Sequence, residues 1–219
     1  MASHPIYQIH SKLENTELKI WRRFEVMDNT PVSRLAYILM TMYEMQASHL
    51  YAFEKTDLTQ DNDSKIPPIT IRYELPFEDN YEDNVINPTT ATIKSLFSGR
   101  KNEISFLYDF GDDWEISLEC ERIIYDSEVS GRLLPRVIDG EGYGVIEDCG
   151  GTDGLEEFAA EFKCKDTNKI DPSELNPFFF DKEDMNFRLQ KVPRIYRDIY
   201  EYNIEPTEQS MKILERKYK

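Results

Sequence analysis

The stretch Phe106–Leu118, FLYDFGDDWEISL, constrains the fold of this chain more than any other. Ile104, Phe106, Tyr108 and Phe110 recur at every second position, and Trp114, Ile116, Leu118 and Cys120 do the same after a short break. A period of two places each set on one face of a strand. Gly111-Asp112-Asp113, between the two sets, has the residue types of a tight turn. The stretch reads as an antiparallel hairpin with one apolar face, and such a face has to be covered by other elements.

The rest of the chain supplies strands to extend that sheet and helices to cover it. Ile6–Leu13 and Leu18–Val26 read as a second hairpin; Leu18, Ile20, Phe24 and Val26 share a face that Arg22 interrupts. Thr30-Pro31 has the form of a helix N-cap followed by proline at the first helical position, with Leu35, Ile38, Leu39 and Met42 behind it at helical spacing. Ser48–Lys55 and Ile69–Leu75 are further strands. The acidic segments 56–65 and 78–87 read as loops, and Leu133–Gly144 as irregular. A short helix is expected after Asn87-Pro88, carrying Ile93, Leu96 and Phe97. Gly150-Gly151 leads to another, with Asp153 as N-cap, Glu156 in capping-box register, and Leu155, Phe158, Ala159 and Phe162 as its apolar stripe. The expected architecture is α+β, an antiparallel or mixed sheet packed by helices. Residues 1–191 form its domain, and 192–219 a helical C-terminal extension packed on it.

Charge narrows the function classes. The formal net charge of -16 over 219 residues repels phosphate backbones and disfavours direct binding of nucleic acid. No lysine or arginine lies between Arg136 and Lys163, where Asp139, Glu141, Glu147, Asp148, Asp153, Glu156, Glu157 and Glu161 are found. The three cysteines form no C-x-x-C pair, which suits a reducing compartment and argues against a zinc site. No run approaches the ~18 apolar residues of a membrane span, and the first residues lack the apolar core of a signal peptide. The expectation is a cytoplasmic protein without a membrane partner.

Complete catalytic signatures are missing. Asp109-Phe110-Gly111 matches a kinase tripeptide but has no glycine-rich loop, lysine strand or catalytic loop upstream. The remaining chemical candidate is a hard cation (Mg²⁺, Mn²⁺ or Ca²⁺) held by Asp112, Asp113, Glu147 and Asp148, with His49 close by; carboxylate oxygens are the ligands those ions prefer. Cys149 precedes a helix start, which lowers a thiol pKa, but neighbouring carboxylates oppose that effect. Candidate contact residues for a partner are Trp21, Arg23, Glu141, Asp153, Glu156 and Glu157. The bland alternative for Trp21 and Arg23 is a core tryptophan beside an arginine paired with carboxylate.

IWRRFEV at 20–26, HLYAF at 49–53, YDFGDDWE at 108–115, Gly140-Glu141 and EDCGG at 147–151, together with the weaker FFDKEDMNFRL at 179–189, resemble the plasmid pRiA4b ORF-three-like family. Its members are often labelled insertion-element passenger proteins of the TnpR type. The resemblance implies a mixed α+β domain with an antiparallel sheet over about residues 6–191, and it carries no established activity. The chain departs from the family pattern at Ile116, where a histidine is common, and at Val145-Ile146, where Pro-Pro is common. Three functional expectations follow. The first is a non-catalytic binding or regulatory protein of mobile elements acting through protein contacts. The second is an acidic mimic of nucleic acid that occupies a nuclease groove. The third is a divalent-metal enzyme built on the two acidic turns.

Overall fold

The computed structural model describes residues 4–57, 69–75, 84–99, 102–125, 129–165, 171 and 174–215. Its centre is an eight-stranded sheet. The strands are β1 Ile6–Leu13, β2 Trp21–Met27, β3 Tyr51–Asp57, β4 Thr70–Glu74, β5 Val85–Ile86, β6 Asn102–Tyr108, β7 Trp114–Ile124 and β8 Arg136–Glu141. Their order is β5-β4-β3-β6-β7-β1-β2-β8, antiparallel throughout except where β4 meets β5. The two hairpins expected from alternation are present, and β7 joins them by pairing with β1.

Pleating sorts the side chains as the period-two pattern requires. Ile9, Leu13, Phe24, Val26, Phe53, Phe106, Trp114 and Ile116 are buried on one face and pack against α1, Val32–Met42. Every residue of α1 except Arg34 is buried. That face thereby keeps its apolar area out of water, which is the main source of stability for such a layer. The other face is polar and laced by side-chain bonds. Arg23 holds Glu121 through Nε and Nη2, Ser117 donates to Glu14, and Ser105 donates to Glu115. Glu25, also on that face, is buried and paired with Arg136 at 2.8 Å.

Arg22, the residue that interrupts the apolar face of β2, is fully buried. Its guanidinium donates to the carbonyl oxygens of Met42, Trp21, Glu141, Gly142 and Tyr143. The ring of Phe180 lies 4.4 Å from its central carbon. One cation thus fixes the end of α1 and the loop after β8 to the core, the kind of dense bonding a buried guanidinium needs.

Several local expectations are corrected. Thr30 does not cap α1: the cap position is Pro31, and the N–H groups of Val32 and Ser33 are taken by the carbonyls of Ala91 and Pro88. Arg136–Glu141 is an edge strand rather than irregular chain. Its outer edge is closed by α4, Lys182–Leu189, whose Asn186 accepts from Val137 N–H and donates to Val137 C=O. A backbone edge left open pairs readily with other chains, and this amide fills it. α2 is the single turn Ile93–Leu96, capped by Thr92. α3, Gly151–Cys164, begins at a left-handed Gly150, so Asp153 lies inside its first turn and is not its cap. Glu156 forms no capping box; it accepts from the Thr16 hydroxyl and the Glu17 N–H. Trp21 lies on the polar face, stacked on His10 and donating to Glu141. Most of the expected loops 56–65 and 78–87 falls outside the described residues, and Thr56, Asp57, Val85 and Ile86 belong to strands.

α5, Val192–Tyr200, packs on α1, with Val192 and Tyr196 buried and the Tyr196 hydroxyl donating to Met45 C=O. α6, Glu208–Leu214, follows with no buried residue. Among the described residues, no helix is long and apolar enough to cross a membrane.

Candidate functional site

Three stretches of the chain meet where α1 gives way to β3. The segment leaving α1 turns through left-handed residues at Glu44 and Ala47. It then delivers Ser48 and His49 to the mouth of β3. Beside them stand Tyr108 and Asp109, at the end of β6, and Glu147, in the loop between β8 and α3.

Glu147 organises the group. Its side chain is almost wholly enclosed. Oε1 accepts from Gln46 N–H at 2.5 Å and from the Tyr108 hydroxyl at 2.7 Å, and Oε2 accepts from the Ser48 hydroxyl at 2.9 Å. Three donors are what a buried carboxylate needs to offset its lost hydration. The Tyr108 hydroxyl also accepts from Ser48 N–H at 3.2 Å. Burial first, and the bond to Glu147 second, push the Tyr108 pKa well above the ordinary phenol range, so it stays a neutral donor. His49 Nε2 lies 3.5 Å from Asp109 Oδ2 and 3.9 Å from Glu147 Oε2, and its ring meets Tyr108 edge to face at 5.7 Å.

The hairpin turn sets Asp109. This residue is left-handed, its N–H donates to Leu50 C=O, and Oδ1 accepts from Gly111 N–H. Short side-chain oxygens make such conformations accessible to Asp. The far side of the turn rests on α3. A Cβ on Gly151, at φ +70, would stand 2.7 Å from Asp112 C=O, so only glycine lets the two segments approach so closely.

His49 forms one side of a recess of about 520 Å³. Tyr37 and Met40 of α1, Ala47, Ser48 and Leu50 of the segment before β3, Tyr51 of β3, Glu74, Leu75 and Tyr200 complete it. Leu50 is 54% exposed and Phe110, on the adjoining turn, 45%. The recess is thus an apolar hollow with the exposed Leu50 at its rim and, beside His49 at one wall, a carboxylate–imidazole–phenol cluster. That combination is characteristic of ligand pockets.

The five residues expected to hold a cation are not gathered into one cage. Among the described residues, no group of three or more His, Cys, Asp and Glu side chains is disposed to hold a metal ion. Glu147 spends its oxygens on three protein donors, and the Asp112 backbone is packed on Gly151. His49 and Glu147 do come together, with Asp109 as the third partner, whereas Asp113 and Asp148 serve left-handed turn positions. The Cys149 thiol is pushed up by burial and by the charges of Asp112 and Asp148. The contact candidates divide in two: Trp21, Arg23 and Glu141 lie together on the polar sheet face, and Asp153, Glu156 and Glu157 lie on α3. Tyr108 and Asp109 were not among the expected site residues. Tyr108 reads as one more apolar position in an alternating strand, and Asp109 as a turn former. The available signal was that both fall within YDFGDDWE, one of three stretches that the fold brings to a single point.

Comparison with known proteins agrees with this architecture. An uncharacterised protein, y4hQ, of Sinorhizobium fredii is 28% identical over 155 residues, covering 70% of this chain and 71% of that one. The crystal structure of a protein of unknown function from Methanosarcina mazei superposes with a TM-score of 0.66 at 22% identity, covering 84% of this chain and 98% of the other. The match to the family described as plasmid pRiA4b ORF-3-like protein runs over residues 5–189, from the first strand through the whole sheet to the end of α4, and the chain belongs to that family.

Proposed function

We propose that the chain is a non-catalytic binding protein that works through contact with a protein partner, with the recess beside His49 as the contact point. The observation that carries this reading is the meeting of HLYAF, YDFGDDWE and EDCGG at the His49–Tyr108–Asp109–Glu147 cluster, beside an apolar hollow that His49 lines and at which Leu50 is exposed. An exposed apolar rim around a pocket suits a partner's apolar anchor. Asp109, Glu147 and Glu74 line or adjoin the hollow, and the whole chain carries a formal charge of -16. The matching partner therefore presents an apolar side chain flanked by lysine or arginine, a complementarity that also speeds encounter. Association with mobile elements, as the family description suggests, and a cytoplasmic setting belong to the same reading.

The test is affinity capture with the wild type, with Leu50→Asp, and with Lys12→Asp on the polar face as control. A stoichiometric partner retained by wild type and control and lost with Leu50→Asp is expected. Identical captures by all three, or none by any, would end this reading.

A further inference from the structure

A second cleft, of about 670 Å³, opens between the start of α1 and the end of α5. Met27, Ile38, Leu134 and Pro135 give it an apolar floor, and its walls carry Arg197, which is paired with Asp198, and two further groups of opposite charge, Arg34 and Glu201. Neither of these two is satisfied. Nη1 of Arg34 and Oε1 of Glu201 are both buried and lack a hydrogen-bond partner among the described residues. The hydroxyl of Tyr37, one turn along α1 from Arg34, lies against Glu201 and Tyr51 and faces the His49 recess.

The surrounding charges explain why Arg34 stays open. Arg194 and Arg197 face it from α5 and repel it, while Asp198 and Glu201 attract it. Asp198 is already committed: Arg197 Nη2 donates to it at 2.6 Å, and Arg194 stands 3.8 Å away. Burial and Arg197 bring the Arg34 guanidinium down to about 10, still fully charged at neutral pH. Native proteins rarely leave such atoms unpaired, and a clustered set of them calls for a bonding group from elsewhere. An anion alone would answer Arg34 and be repelled by Glu201. A cation alone would do the reverse, and an apolar molecule would answer neither.

We propose that this cleft binds a small zwitterion of the α-amino acid type, its carboxylate on Arg34, its ammonium on Glu201 and its side chain over Ile38, Leu134 and Pro135. Tyr202, whose ring lies 5.0 Å from the Arg197 guanidinium, closes the rim. The lining of this cleft does not include His49 or Leu50, so a substitution at Leu50 leaves the cleft's own contacts in place.

The experiment is calorimetric and thermal-shift titration of the full chain with L-leucine, with 4-methylpentanoate and isoamylamine as the two half-ligands. Saturable binding of L-leucine in the millimolar range is expected, with each half-ligand at least about tenfold weaker. Arg34→Met and Glu201→Gln should each lose at least about tenfold, and Leu50→Asp in the other recess should lose nothing. Amide chemical shifts of the wild type at residues 30–38 and 197–202 give a readout that no variant's folding can obscure. Absence of a saturable shift with L-leucine, L-phenylalanine and glycine up to about 20 mM would overturn the assignment. Equal affinity for 4-methylpentanoate would overturn it too, since that describes an anion site.

Discussion

A single arginine gathers five backbone carbonyls at the junction of β2, α1 and the loop after β8. Replacing Arg22 by methionine keeps the apolar stem but orphans those oxygens, so a loss of about 3–5 kcal/mol is expected in urea unfolding. Arg23, its neighbour, makes a weaker bond on the open face. Glu121 is held down to about 2, first by its bond to Arg23. A depressed carboxylate contributes stability that is present above its unfolded value, about 4.3. That contribution is lost as the pH falls from there towards 2. Both partners are partly exposed, 33% and 25% in their side chains, so solvent screening limits the contribution to less than about 1 kcal/mol. Arg23→Gln should therefore lower stability at neutral pH by up to that amount, change nothing near pH 2, and so flatten the acid limb of the stability–pH curve between about pH 4.5 and pH 2.

At the scale of elements, legibility followed burial. The hairpin around Gly111 and the β1–β2 pair could be read because one buried face stamps an apolar residue on every second position, and α1 because its buried face repeats with the helix. β8 could not: in Arg136–Glu141 Val137 is the only buried residue, so no period exists to read. The start of α3 was misplaced because Asp153 and Glu156 have capping chemistry in register, while the actual entry uses a left-handed Gly150 and sends Glu156 to Thr16 and Glu17. Half the candidate site was visible, His49 and Glu147, and the rest depended on which distant turns the sheet aligns. The β8 edge makes its own prediction. Asn186→Ala removes both bonds to Val137 and should cost about 1–3 kcal/mol. It should also produce concentration-dependent self-association in sedimentation velocity, which the wild type lacks at the same concentration. A monodisperse, equally stable variant would show that α4 shields the edge by packing alone.

For the whole molecule the dominant quantity is charge. With 42 acidic and 26 basic side chains, mutual repulsion opposes the compact state, and salt screens it over about 8–10 Å. The melting temperature should therefore rise by about 2–5 °C between low salt and 0.3 M NaCl. A fall would mean that the ion pairs of the polar face outweigh the global repulsion.

The strand order carries one more consequence, for how the protein is made. β1 and β2 emerge first and pair with each other, yet their outer neighbours are β7 and β8. The Gln8–Glu121 and Arg22–Glu141 bonds join residues 113 and 119 apart. On the ribosome the first hairpin must therefore wait, with both flanks bare, until β7, Trp114–Ile124, has followed. At about 5–20 residues per second that is an interval of several seconds or more, during which the nascent hairpin is open to chaperones and to other chains.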